Sequence, residues 1–138
     1  MRTLGIEIKG NTAIFTALEE NGELNNITGN LKKLELKDDE ESQEIRGFVD
    51  IIHSHFNDMK FDKIGISKRS KSVKSRFPPS PISFKLEGLI QLYKELDIHF
   101  VAPQTVAAFL KKNDYPIEPE FSYQDSSCKL AFYLLKND

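Results

Sequence analysis

Two runs of β-branched and apolar residues open the chain, Thr3 to Ile8 and Thr12 to Leu18, with Lys9-Gly10-Asn11 between them. Gly and Asn tolerate positive φ, so the pattern predicts a β-hairpin. The first strand is apolar on both faces except at Glu7. That is the pattern of a central strand carrying one acid toward its carboxyl end. A second turn at Glu19-Glu20-Asn21-Gly22 leads into Leu24 to Leu36, whose last part alternates (Leu31, Lys32, Lys33, Leu34, Glu35, Leu36) as a third, meandering strand with one exposed face.

The period then changes. Apolar residues at Ile45, Phe48, Val49, Ile52, Phe56 and Met59 have helical spacing, and Asp38-Asp39-Glu40-Glu41 precedes them. Acids suit the positive end of a helix macrodipole, and acids fanning around one turn do not converge on a metal. Phe61 to Ser67 reads as a short buried strand, which the helical crossover returns parallel to the first. Lys68 to Arg76 is basic and small, and Phe77-Pro78-Pro79-Ser80-Pro81 is too rich in proline for helix or central strand, so a long loop is expected at a strand's carboxyl end. Helical spacing resumes from Ile82 through Leu86, Leu89, Ile90, Tyr93 and Leu96. Asp97 to Ala102 is the fifth strand, Pro103 to Leu110 a short helix, Asn113 to Pro119 a loop, and Ser126 to Lys136 a final helix with Leu130, Ala131 and Leu134 inward.

Length and charge narrow the reading. With 138 residues, 39% of them hydrophobic, the chain supports one core, and residues 1–138 are read as a single domain. The net charge of -2 excludes a global basic field, yet Lys68 to Arg76 holds five cations and no acid, leaving -7 on the remainder. No stretch approaches the roughly 20 apolar residues of a membrane span, and no secretory leader pattern is visible, so a cytoplasmic protein without membrane partners is expected.

The candidate chemistry is sparse. Glu7 reads either as a site acid or as the structural partner of Lys9 or of a loop cation. The clustered cations Lys68, Arg69, Lys71, Lys74 and Arg76 read either as a solvated loop or as a phosphate-backbone contact that reads no sequence, with Lys9 at the same end of the sheet. Ser67, Ser70, Ser72 and Ser75 add hydroxyls. His53 and His55 lie two apart on a helix and face apart, which disfavours a shared zinc ion. The lone Cys128 has no disulfide partner and fits a small buried position.

The order β-β-β-α-β-α-β-α plus a last helix, with an acid on the first strand, resembles the ribonuclease H-like fold. In that fold five strands form a mixed sheet in the order 3-2-1-4-5, with strand 2 antiparallel and helices flanking. Leu4-Gly5-Ile6-Glu7-Ile8-Lys9-Gly10-Asn11 resembles the opening strand of RuvC-type Holliday junction resolvases. The whole chain is similar to a small bacterial family of proteins of unknown function, which shares that opening, Phe84 to Glu87 and Pro103. The resolvase resemblance implies Mg²⁺ held by acids, with Glu7 and Asp125 at matching positions as metal and catalytic residues. At the other two acid positions this chain has Ser67 and Cys128. The resemblance also implies nucleic acid as a partner, and a homodimer is a further arrangement to test. Two readings follow: a nucleic-acid-associated protein, either a divergent metal nuclease or a non-catalytic binder, and a protein-interaction module that kept the fold without its metal chemistry.

Overall fold

The hairpin is formed by β1 (Arg2–Lys9) and β2 (Thr12–Glu20), antiparallel and in unbroken register from Arg2 opposite Glu19 to Lys9 opposite Thr12. Gly10 supplies the positive φ of the turn, 56°. The computed structural model describes residues 1–69 and 78–137. Where one strand was expected after the hairpin there are two, β3 (Leu24–Asn26) and β4 (Lys33–Glu35), both paired with β2. The interruption has a local cause: the Thr28 hydroxyl accepts from the Ala17 N–H at 3.0 Å, and Gly29 turns the chain at φ 67°. Phe15 N–H then donates to the Lys32 carbonyl. Side chain and turn therefore serve the β2 backbone between the two short strands.

Helix α1 (Ser42–Met59) begins at the expected acid run; Glu41 caps it by accepting from the Gln43 N–H at 3.2 Å. It delivers β5 (Lys63–Ser67), parallel to β1, with Gly5 opposite Gly65. Helix α2 (Pro81–Gln91) is shorter than its apolar spacing suggests, because Tyr93 and Leu96 pack on the core from the following turn. Strand β6 (Ile98–Val101) is parallel to β5, α3 (Pro103–Lys112) follows it, and a 3₁₀ turn (Ser122–Gln124) opens α4 (Asp125–Lys136). The path across the sheet is β3-β2-β1-β5-β6, the expected order with the second strand antiparallel. Residues 70–77, most of the expected long loop, lie outside the described residues.

The two faces of the sheet are covered differently. Leu4, Ile6 and Ile8 point toward α1 and α2 and form the main core with Phe48, Ile52, Phe56, Leu86 and Ile90. The opposite face of β1 presents Thr3, Gly5 and Glu7, and α4 lies directly on it. A Cβ built on Gly5 would sit 2.0 Å from the Ser127 carbonyl oxygen and 2.7 Å from the Ala131 nitrogen. Thr3 donates to the Ala131 carbonyl at 2.7 Å, and the Thr16 and Ser127 hydroxyls meet at 2.7 Å. Since Ala131 lies over Thr3 and Ser127 over Gly5, α4 runs antiparallel to β1, and its first residue, Asp125, reaches toward the level of Glu7.

One ion pair ties the chain leaving β5 to α2. Arg69 Nη2 donates to Glu87 at 2.7 Å and to the Ser83 carbonyl at 3.3 Å, and its guanidinium lies 4.6 Å from the Phe84 ring centroid. The side chains are only 14% and 11% exposed.

These packing details set stability. Gly5→Ala is expected to cost about 3 kcal/mol, because helix backbone has to move, lowering the thermal midpoint by on the order of 10 °C. By contrast, Gly47→Ala on α1 meets nothing within 4 Å and should stabilise by roughly 0.5–1 kcal/mol. Glu87→Ala strands Arg69 and should cost about 2 kcal/mol in urea unfolding, most of it recovered when Arg69→Met is added. Burial holds the His55 imidazole below its usual 6.5, partly opposed by Asp58. The unfolded ring titrates near 6.5, so this stability is present above that pH and declines as pH falls toward the lower folded value. Urea midpoints should drop on that limb, and less so in His55→Leu.

Candidate nucleic-acid interface

The carboxyl edge of the parallel strands gathers most of the candidate residues. Glu7 is one position from the end of the β1 face under α4, with its side chain 18% exposed and Lys9 Nζ 3.8 Å from its carboxylate. The pairing of Ile6 with Ile66 carries on to set Ser67 beside Glu7. Asp125 heads α4, largely exposed, and is held by Lys129 at 2.9 Å, one helical turn on. An acid suits that end of the helix. Glu7 and Asp125 are thus brought to the same edge, each with a lysine of its own.

The donor set does not fit a two-ion site. Two hard divalent cations need several charged oxygens, and the neighbouring positions here carry a hydroxyl, Ser67, and a thiol, Cys128. Among the described residues no group of three or more His, Cys, Asp or Glu side chains converges to hold a metal. Cys128 is fully buried, and burial pushes its thiol up, out of the range of a reactive thiolate. Tyr115, which faces it, is likewise pushed up by burial. His53 Nε2–H donates to the Leu89 carbonyl at 3.1 Å, and the ring packs against Phe56 and Tyr93, a structural use.

The cations converge better than the acids. Lys9, Lys68 and Arg69 line one cleft of about 790 Å³, floored by Gly10, Ala102 and Pro103 and bordered by Gln104. Among the described residues no carboxylate lines it. Lys68 enters it from the end of β5, its N–H donating to the Val101 carbonyl at 2.8 Å. Arg69 reaches the cleft while Glu87 holds one edge of its guanidinium, so part of its charge is committed inside the fold. Lys71, Lys74 and Arg76 lie outside the described residues. A neighbouring cavity of about 470 Å³ between α3 and α4 is lined by Ser67, Asp125 and Lys129 over an apolar floor of Val106, Leu110 and Leu130.

Two contributors are not marked as site residues by the sequence. Glu87 belongs to the Phe84-Lys85-Leu86-Glu87 segment that carried the family resemblance, and that segment positions Arg69. Gln104 follows Pro103 and carries no pattern that marks it.

A sequence search of curated proteins finds no match. In structure, the chain is similar to RuvC of Thermus thermophilus, with a TM-score of 0.75 at 9% identity, covering 98% of this chain and 96% of that one. It is also similar to T. thermophilus RuvC in complex with Holliday junction substrate, at TM-score 0.65 and 8% identity, over 95% and 90% of the two chains. At such identities the likeness establishes the fold, which is ribonuclease H-like. No helix among the described residues is long and apolar enough to cross a membrane. Residues 1–134 match a family model described as protein of unknown function, DUF3010, and the chain belongs to that family.

Proposed function

We propose that the chain is a nucleic-acid-associated ribonuclease H-like protein that holds a phosphate backbone at the carboxyl edge of its sheet, without sequence preference and without metal-dependent cleavage. The observation that carries the reading is the convergence of Lys9, Lys68 and Arg69 on one cleft that no carboxylate among the described residues lines. Backbone contact requires clustered cations on an accessible concave surface, and it carries no base information. The basic segment that follows, with Lys71, Lys74 and Arg76, extends the same charge in sequence. A T. thermophilus RuvC of the same fold is described in complex with a Holliday junction, which makes branched DNA a first substrate to try.

Catalysis by Glu7 and Asp125 is the second reading, favoured by the antiparallel docking of α4 that brings both to one edge. It lacks the further acids that a two-ion site requires. An interaction module without nucleic acid is the third, and Arg69's internal ion pair favours it.

A binding and cleavage panel separates these readings: single-stranded, duplex and four-way DNA, plus RNA, in Mg²⁺ and in Mn²⁺. Binding without cleavage is expected, falling steeply with salt. The Lys9→Ala, Lys68→Ala double variant should flatten the duplex salt slope by roughly 2, at about 0.9 per lost phosphate contact. Metal-dependent cleavage abolished by Glu7→Gln would replace this reading with the nuclease. No binding at low salt, where electrostatic contacts are strongest, would leave the interaction module.

A further inference from the structure

The residues before α4 place two aromatic rings on the surface, in line with the candidate edge. Phe121 and Tyr123 stack with centroids 5.5 Å apart and planes inclined by 10°. Phe121 is 45% exposed. They are fixed rather than loose, because Gln124 between them and α4 is fully buried. Its Nε2 donates to the Phe15 carbonyl at 2.9 Å, and its Oε1 accepts from the Phe121 N–H at 3.1 Å. Buried Gln124 thus spans the gap between β3 and β4 and turns the two rings outward.

Cations flank the pair. Lys33 Nζ lies 5.0 Å from the Tyr123 centroid, and Lys32 Nζ lies 6.0 Å from that of Phe121. Lys32 is committed, donating to the Gly29 carbonyl at 2.8 Å and pairing with Glu120 at 3.4 Å. Lys33 is exposed and makes no ion pair among the described residues. Register relates the pair to the edge: Glu7 lies opposite Ile14, and Ile14 opposite Lys33, so all three share the α4 face. Two strand spacings put Lys33 about 10 Å from Glu7 across the sheet. The next row runs from Lys9 through Thr12 to Glu35.

We propose that Phe121 and Tyr123, with Lys33, form a stacking platform for an unpaired base of a single-stranded nucleic acid whose backbone continues across the sheet edge into the Lys9–Lys68 cleft. The inference rests on the reading of that cleft as a phosphate site and adds the strandedness of the partner. Every base has a π face, so a rigid exposed ring beside a free cation binds single strands without reading sequence, whereas a duplex keeps its bases stacked and unavailable. Glu120 and Glu35 border the platform and disfavour a backbone lying directly over it, leaving the base to meet the rings and Lys33 to meet the phosphate.

The test uses the full chain with oligo(dT), oligo(U) and a duplex of matched length. The chain has no tryptophan, so Phe121→Trp places its sole tryptophan on the platform; the red-edge-excited tryptophan emission should be quenched by both single strands and left unchanged by the duplex. Phe121→Ala should weaken single-strand binding by roughly 5- to 150-fold, the range for losing one base–aromatic stack, with duplex binding altered less than about twofold. Lys33→Ala should reduce the single-strand salt slope by about 0.7. If Phe121→Ala binds single strands like the parent while the Lys9, Lys68 double variant is weakened, the platform is refuted and the cleft stands. If the parent binds no nucleic acid at low salt, both fail together. Equal loss on single strand and duplex, or dissolution of a homodimer with unchanged single-strand affinity, would assign the rings to packing or to a protein interface and overturn the proposal.

Discussion

The absence of a side chain at Gly5 is the constraint on which this structure depends. Helix α4 settles onto β1 with its own backbone against the strand, leaving no room for a Cβ, and the Thr3 and Thr16 hydroxyls lock it in place on either side. Gly65 repeats the device on β5, where the Leu130 and Leu134 side chains fill the space a Cβ would take. Contact this close sets both the height and the direction of the helix. From that follow the position of Asp125, the 3₁₀ turn before it, and the anchoring of Gln124 in the sheet.

The same docking sets what meets at the carboxyl edge of the sheet. The fold delivers an acid from its first strand and another from its last helix, yet the intervening positions hold Ser67 and Cys128, and lysines satisfy the two carboxylates. Positive charge dominates the cleft next to them. In the proposed reading, such a surface, which lacks the acids to hold two ions, serves occupancy rather than hydrolysis. On the proposed reading, the aromatic pair on the far side of β2 would add a contact that electrostatics alone does not provide, since stacking survives at salt concentrations that screen lysine.

The sequence made the local features legible and left the long-range ones hidden, for a physical reason. Gly10-Asn11, the acid run before α1 and the proline heads of α2 and α3 act within a few residues, so each element's start was readable. The sequence pattern shows one strand where the fold has two, because Thr28 replaces ladder pairing with its hydroxyl, a substitution that propensity does not encode. Apolar spacing runs past the end of α2 because Tyr93 and Leu96 are apolar for the sake of the core, whatever their backbone does. At the site, Glu7 and the basic segment announced themselves by composition. Glu87 as the partner of Arg69, and Phe121 and Tyr123 as neighbours of Lys32 and Lys33, are relations between distant stretches that only the folded sheet brings together.

The Thr3–Ala131 hydrogen bond joins residues 128 apart, and that separation bears on how the chain is made. At translation rates of about 5–20 residues per second, roughly 6 to 26 s pass between synthesis of the first strand and of the helix segment that covers it. Until α4 has been made nothing can cover the Gly5 strip, and an isolated hairpin is at best marginally stable in water. The α4 face of the sheet is therefore the last to be covered as the chain is made.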